Sequence, residues 1–163
     1  MKNKIENFRR SSHFLFFGVI LILCLIQLGC PKQKMPEECE YFYKSLTSNQ
    51  REVVFKTYDL EKQLRLHRCG LEKIPMDTSQ SIGIANRGKD IVPILLNKLS
   101  VEKDEVTKYG IILIFESMFA AGILKDDEMV INNIKKAISE MKTDFARNYS
   151  QRSLTRIQEF NQK

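Results

Sequence analysis

The residues able to do chemistry in this chain are few. There are four cysteines, two histidines and no tryptophan. Cys30, Cys39 and Cys69 are the thiols outside the apolar stretch that holds Cys24, and His67 is the one histidine beyond the N-terminal region. Thiols can be acylated, paired, or used with histidine as nucleophiles or metal ligands. His67 and Cys69 stand two apart, so on a helix they point to nearly opposite sides. That spacing argues against a nucleophile pair and against a zinc site built from Cys39, His67 and Cys69. His67 instead continues an apolar stripe (Val53, Leu60, Leu64, Leu71) and reads as a histidine at the edge of a core. Glu116 stands alone in an apolar helix, where burial would raise its pKa toward acid–base use. It also shares one helical face with Glu105 and Lys108, so a solvent-facing strip is the simpler expectation. Gly83 and Gly88 lack the spacing of a phosphate-binding loop. No catalytic residue, cofactor site or metal site is expected.

These groups must be placed by the elements around them. Residues 1–29 have the order of an export signal. Lys2, Lys4, Arg9 and Arg10 precede an apolar run from Phe14 to Leu28, and Gly29-Cys30 follows. The run is shorter than the roughly 20 residues that span a bilayer. The segment Leu25-Ile26-Gln27-Leu28-Gly29-Cys30 resembles the lipobox of bacterial lipoproteins, with Gly29 and Cys30 in the matching positions. That resemblance implies a diacylglycerol on the Cys30 thiol, cleavage just before it, and a membrane-anchored place in the cell envelope with the body on the exported side. An uncleaved anchor helix is the alternative. Residues 1–29 hold four of the 26 basic and one of the 20 acidic residues, so the remainder carries a formal net charge of only +3. Arg65, His67, Arg68 and Lys73 form the longest basic cluster and suit a helix C-terminus. No nucleic-acid partner is expected. In an oxidising compartment Cys39 and Cys69 are a candidate disulfide pair. It would close a loop of about 31 residues, worth roughly 3–4 kcal/mol. Two separate buried thiols are equally compatible with the sequence.

Residues 30–36 read as a tether reaching at most about 25 Å, and 37–163 as one helical domain. A first helix is expected over 37–46. A capping box, Thr47 with Gln50, starts a second that runs to Cys69 and stops at Gly70. Residues 71–89 are irregular, with Asp77 and Gln80 able to cap a short helix through Asn86. A pocket of converging polar groups between 71–89 and the core helix would favour an enzyme. Asp90 is expected to cap a helix through Leu99 that carries Pro93 in its first turn. Asp104 and Glu105 open a helix to Gly122 that is apolar almost all round between Tyr109 and Ala121, the expected central helix. A last helical stretch covers 126–160, with one stripe of Val130, Ile134, Ala137, Ile138 and Met141, and with Phe145, Tyr149, Ile157 and Phe160 marking either its continuation or a second helix after Thr143-Asp144.

The pair 88–112, with Pro93, Asp104 and Lys108 in place, resembles a HEAT repeat. It implies stacked helical hairpins and an extended protein-binding surface. The fold expected is therefore all-α, a short HEAT-like solenoid or an irregular helical bundle after the signal or anchor. The function expected is a membrane-anchored protein-interaction module with a protein partner and no small-molecule substrate. The alternative is an envelope enzyme or accessory hydrolase using a carboxylate such as Glu116. Lipidation makes a direct prediction: radiolabelled fatty acid incorporates into the exported protein and not into Cys30→Ala. Label persisting in the variant would rule out the lipobox assignment.

Overall fold

The computed structural model describes residues 35–161. The segment 1–29, Cys30 and most of the tether lie outside the described residues. The described body is all-α, and among the described residues there is no strand. Helix α1 (Glu37–Glu40) continues as a π-helical turn, Tyr41–Ser45. Then come α2 (Ser48–Thr57), α3 (Leu60–Leu71), α4 (Gln80–Ala85), a 3-10 turn (Lys89–Ile91), α5 (Val92–Val101), α6 (Glu105–Ala120), α7 (Glu128–Ser139) and α8 (Asp144–Phe160). None of these helices is long and apolar enough to cross a membrane.

Helix α6 is the centre. Phe115 and Ile114 are fully buried, and so are Ile111, Ile112 and Met118 within about a hundredth of their surface. A helix apolar on every side must be covered on every side. Helices α3, α4 and α8 all pack against it. The following hairpin stacks like on like: α5 packs on α7, and α6 packs on α8.

Capping explains most of the helix starts. Thr47 and Gln50 form the reciprocal box before α2. Asp104 accepts from the Thr107 amide before α6, and Asp127 from the Val130 amide before α7. The start of α8 is capped from another helix. Glu105 of α6 accepts the Lys142 amide at 2.6 Å and the Thr143 amide at 2.9 Å. The Thr143 hydroxyl donates to the same carboxylate. Those bonds, that hydroxyl's first, hold the Glu105 carboxyl down at about 2.

Several expectations are corrected. The stretch 47–70 is two helices, not one. Tyr58 is extended and Asp59 caps α3 by accepting the Lys62 amide at 2.8 Å. An aspartate two residues past a helix end is a start signal in its own right. The break is closed by the buried Gln63, whose amide donates to the Phe55 carbonyl at 2.6 Å. Arg87 donates to both Gln63 and the Tyr58 carbonyl. Because the extended Tyr58 breaks the helical periodicity, the stripe does not run through both α2 and α3, and Val53 is exposed. Gly70 lies inside α3 rather than after it. A Cβ there would stand 2.5 Å from the Asp77 carbonyl and 2.5 Å from the Tyr43 hydroxyl, so this is a close crossing. Asp90 caps nothing; it sits in the 3-10 turn leading into α5. In α8 the buried face is Ala146, Ser150, Ser153, Leu154 and Ile157, while Phe145 is exposed. Small side chains win that face because they let α8 lie close against α6.

The expected solvent strip Glu105, Lys108, Glu116 is broken: Glu105 stays at the surface, while Lys108 is buried and Glu116 is partly covered by its pairing with α8. Lys108 is 6% exposed and reaches Glu140 at the end of α7, 3.0 Å away. Phe115→Ala would leave a cavity in the central helix and cost about 3–5 kcal/mol. This is much of the ~5–15 kcal/mol typical of a domain. Urea melts of the two forms measure it, and a loss below about 1 kcal/mol would show that Phe115 is not in a packed core.

Candidate functional site

The sequence-derived candidates disperse in the fold. The sulfurs of Cys39 and Cys69 are joined, with Cα atoms 6.2 Å apart, tying α1 to the end of α3. Both are buried. Among the described residues no three Cys, His, Asp or Glu side chains are grouped to hold a metal. Glu116 faces Arg156 of α8 as a fork, Oε1 to Nε at 2.7 Å and Oε2 to Nη2 at 3.1 Å. This pair fastens α8 to α6. The basic cluster is split up: Arg65 pairs with Glu38, and Arg68 with Asp104 and Glu72.

His67 is wholly in the core rather than at its edge. Its Nε2 lies 3.2 Å from the Gly110 carbonyl, so Nε2 carries the proton. Nδ1 is buried without a partner. Burial drives the His67 pKa down to about 4, against the smaller opposing effects of the Gly110 carbonyl and Asp77. A neutral imidazole here is a packing group between α3 and α6.

The segment 77–86 does pack on the central helix, where the Ser81 and Ser117 hydroxyls meet at 2.9 Å. The open space lies on its other side. A groove of about 490 Å³ runs between α2 and α4. This is within the ~300–1,000 Å³ usual for ligand sites. Its floor is aromatic: Phe42 and Phe55 are buried with ring centres 5.9 Å apart. Gly83 is what brings α4 onto this floor. A Cβ there would stand 3.1 Å from the Phe55 ring.

One end of the groove is charged. Arg51 of α2 donates from Nη1 to the Tyr43 carbonyl at 3.4 Å and from Nη2 to the Ser48 hydroxyl at 3.2 Å. Its guanidinium carbon is 5.6 Å from the centre of the Tyr43 ring, and the Lys73 ammonium is 4.4 Å from the same centre. Neither cation has a carboxylate within 4.0 Å among the described residues. Asp77 is the nearby anion, held by the Ser79 amide at 3.2 Å and hydroxyl at 2.7 Å. Partial burial works to raise its pKa. The two Ser79 bonds and the charges of Lys73 and Arg51 outweigh that and hold it below the usual range. The other wall carries the self-paired Glu52 and Lys56, with Ile82 and Asn86 on the rim. Gln80 lines the groove with its Oε1 buried and without a hydrogen-bond partner.

None of these groove residues was singled out as a site by sequence reasoning. Arg51 and Asp77 lie 26 positions apart in ordinary helix and turn contexts. Gly83 was the available signal. A glycine inside a helix costs about 1 kcal/mol, so it marks either a weak helix or a close approach.

His67 sets a pH dependence of stability. Its unfolded pKa is near 6.5 and its folded value about 4. Between the two, the unfolded chain takes up the proton and the folded one does not. Stability from this group is therefore intact above pH 6.5 and falls by roughly 3 kcal/mol toward pH 4. In His67→Gln the fall over that window should be shallower by that amount. Equal slopes in wild type and variant would show that His67 is not held neutral in the core. Compared with models of protein families, with curated proteins and with solved structures, the chain matches none.

Proposed function

We propose that the chain is a membrane-anchored helical module that binds a protein partner through the groove between α2 and α4. The observation that carries this reading is the groove itself: an aromatic floor, an exposed Ile82 on the rim, and Arg51 at one end, bonded to neutral oxygens. Buried aromatics flanked by arginine are the composition of binding hot spots. The like-on-like stacking of α5 on α7 and α6 on α8 supports the HEAT-like solenoid reading, and such stacks present extended binding faces. Anchoring through Cys30 would keep the body within reach of envelope partners. The enzyme alternative gains nothing from Glu116, whose carboxylate is taken up by Arg156 away from the groove.

Photo-crosslinking in cells tests the proposal. A photoreactive amino acid at Ile82 or Asn86 should give one discrete higher-mass adduct. The same probe at Gln151, exposed on α8, should not. Equal labelling from all three positions, or none from Ile82 and Asn86, would overturn the reading.

A further inference from the structure

We infer that the body rests on the lipid surface through one apolar face, with Ile74 of the loop after α3 and Phe145 of α8 entering the headgroup boundary. This rests on the reading of the chain as membrane-anchored and names the surface that the anchor brings into use. The face, its rim and its place beside the tether carry it.

The face is built on a small buried cluster of Leu71 at the end of α3 with Tyr109 and Leu113 of α6. Met76, Val106 and Tyr149 pack over that cluster and stay partly exposed, which makes an apolar shelf. Phe145 extends the shelf. Its ring centre is 4.7 Å from that of Tyr149, and its side chain is 47% exposed. Ile74, two residues before Met76, is 100% exposed. Exposed apolar residues scattered singly are ordinary on protein surfaces. Here one is in ring contact with the shelf and the other stands two residues from it.

The rim carries cations laid on aromatic rings. The Lys73 ammonium is 4.4 Å from the centre of the Tyr43 ring, and the Arg152 guanidinium carbon is 5.5 Å from the centre of the Tyr149 ring. At a lipid–water boundary, rings and long side-chain stems take the apolar edge and the charges stay among the headgroups. The neighbouring acids already have partners within the body. Glu105 caps α8, Glu72 pairs with Arg68 at 3.0 Å, Asp77 holds the Ser79 hydroxyl, and Asp144 lies 3.6 Å from Arg147. A shallow landing therefore strips no carboxylate of its partner.

The disulfide sets this face beside the tether. Residues 30–36 reach at most about 25 Å and join the body at Glu37, the start of α1. Cys39 is the third residue of α1, and its Cα is 6.2 Å from that of Cys69, two residues before Leu71. An anchor at Cys30 thus holds the base of the apolar face within reach of the bilayer. A protein bound there would have to fit between body and membrane. The tether also makes a weak contact sufficient. Short flexible linkers give effective concentrations in the mM range, so a contact of about 0.1 mM affinity is made about nine-tenths of the time.

The test uses full-length protein reconstituted into phosphatidylcholine vesicles, with flotation in a density gradient as a separate reading of the anchor. The chain has no tryptophan, so a single introduced one is an unambiguous reporter. It is placed at Ile74, at Phe145, or at the exposed controls Ile82 and Met129. Tryptophan itself favours the interface, and the controls carry that same bias. The expected result is that all four forms float, that Ile74→Trp and Phe145→Trp shift to the blue and lose emission when the acyl chains are brominated, and that Ile82→Trp and Met129→Trp do neither. Adding Phe145→Glu to Ile74→Trp should weaken the quenching severalfold without changing flotation. Flotation with no more quenching at Ile74 and Phe145 than at Met129, or quenching unchanged by Phe145→Glu, would overturn the inference and leave the anchor standing. A blue shift that bromine does not quench and that grows with protein density would give the face to a second copy of the chain, and would overturn it too. Loss of flotation would remove both the anchor and the inference.

Discussion

The structure depends on the need to cover α6. Its run from Tyr109 to Phe119 is apolar on all sides, so no single neighbour can bury it. Helix α8 meets one side through small residues, and this closeness has a cost. The Ser150 and Ser153 hydroxyls are fully buried there without hydrogen-bond partners. An unmet buried polar group costs about 1–3 kcal/mol. Dispersion attraction between two closely approaching helices offsets it, because that attraction weakens steeply across even small gaps. Helices α3 and α4 take the other sides. His67 fits this arrangement as a neutral ring bonded to a backbone carbonyl of α6.

The groove is a consequence of how the periphery attaches to that core. Helix α1 is bound tightly, by the Cys39–Cys69 link, by the buried Phe42 and by the Tyr43 hydroxyl donating to the Leu66 carbonyl at 2.7 Å. Helix α2 is bound lightly. Phe55 is its one buried residue, and its C-terminal end is fixed by Gln63 and Arg87 rather than by an apolar face. A helix held by one aromatic and its end leaves space along its flank. Gly83 lets α4 approach from the other side far enough for that space to become a walled groove rather than open surface.

Charge in this protein works mainly between elements. Glu105 caps α8, Lys108 reaches the end of α7, Arg68 joins α3 to the turn before α6, and Arg156 joins α8 to α6. A carboxylate at a helix start and a cation at a helix end are each favourable with the dipole. Here the groups come from neighbouring helices, so they favour one packing arrangement over others in addition to favouring helix. Arg51, Lys62, Lys73 and Arg152 are instead set over aromatic rings, Arg51 and Lys73 over the same one, with Asp77 as the nearby anion of those two.

Local sequence alone dictates the all-α class, the starts of α2, α6 and α7, the stripe from Val130 to Met141, and α6 as the buried centre. These follow from short-range rules: a cap acts within three residues, and apolar periodicity reports a face within one helix. Packing decides everything that joins separate helices. The break at Tyr58-Asp59 is stabilised by Arg87, 28 residues away from Asp59. The face α8 buries is the one that fits closest to α6, and not the one with the largest side chains. Glu105, Lys108 and Glu116 share a helical face in the sequence pattern, yet whether it meets water or another helix depends on where α7 and α8 lie. The groove is the clearest case. Its parts come from α1, α2 and the 77–86 segment, and their convergence is a property of packing that no periodicity within one segment encodes.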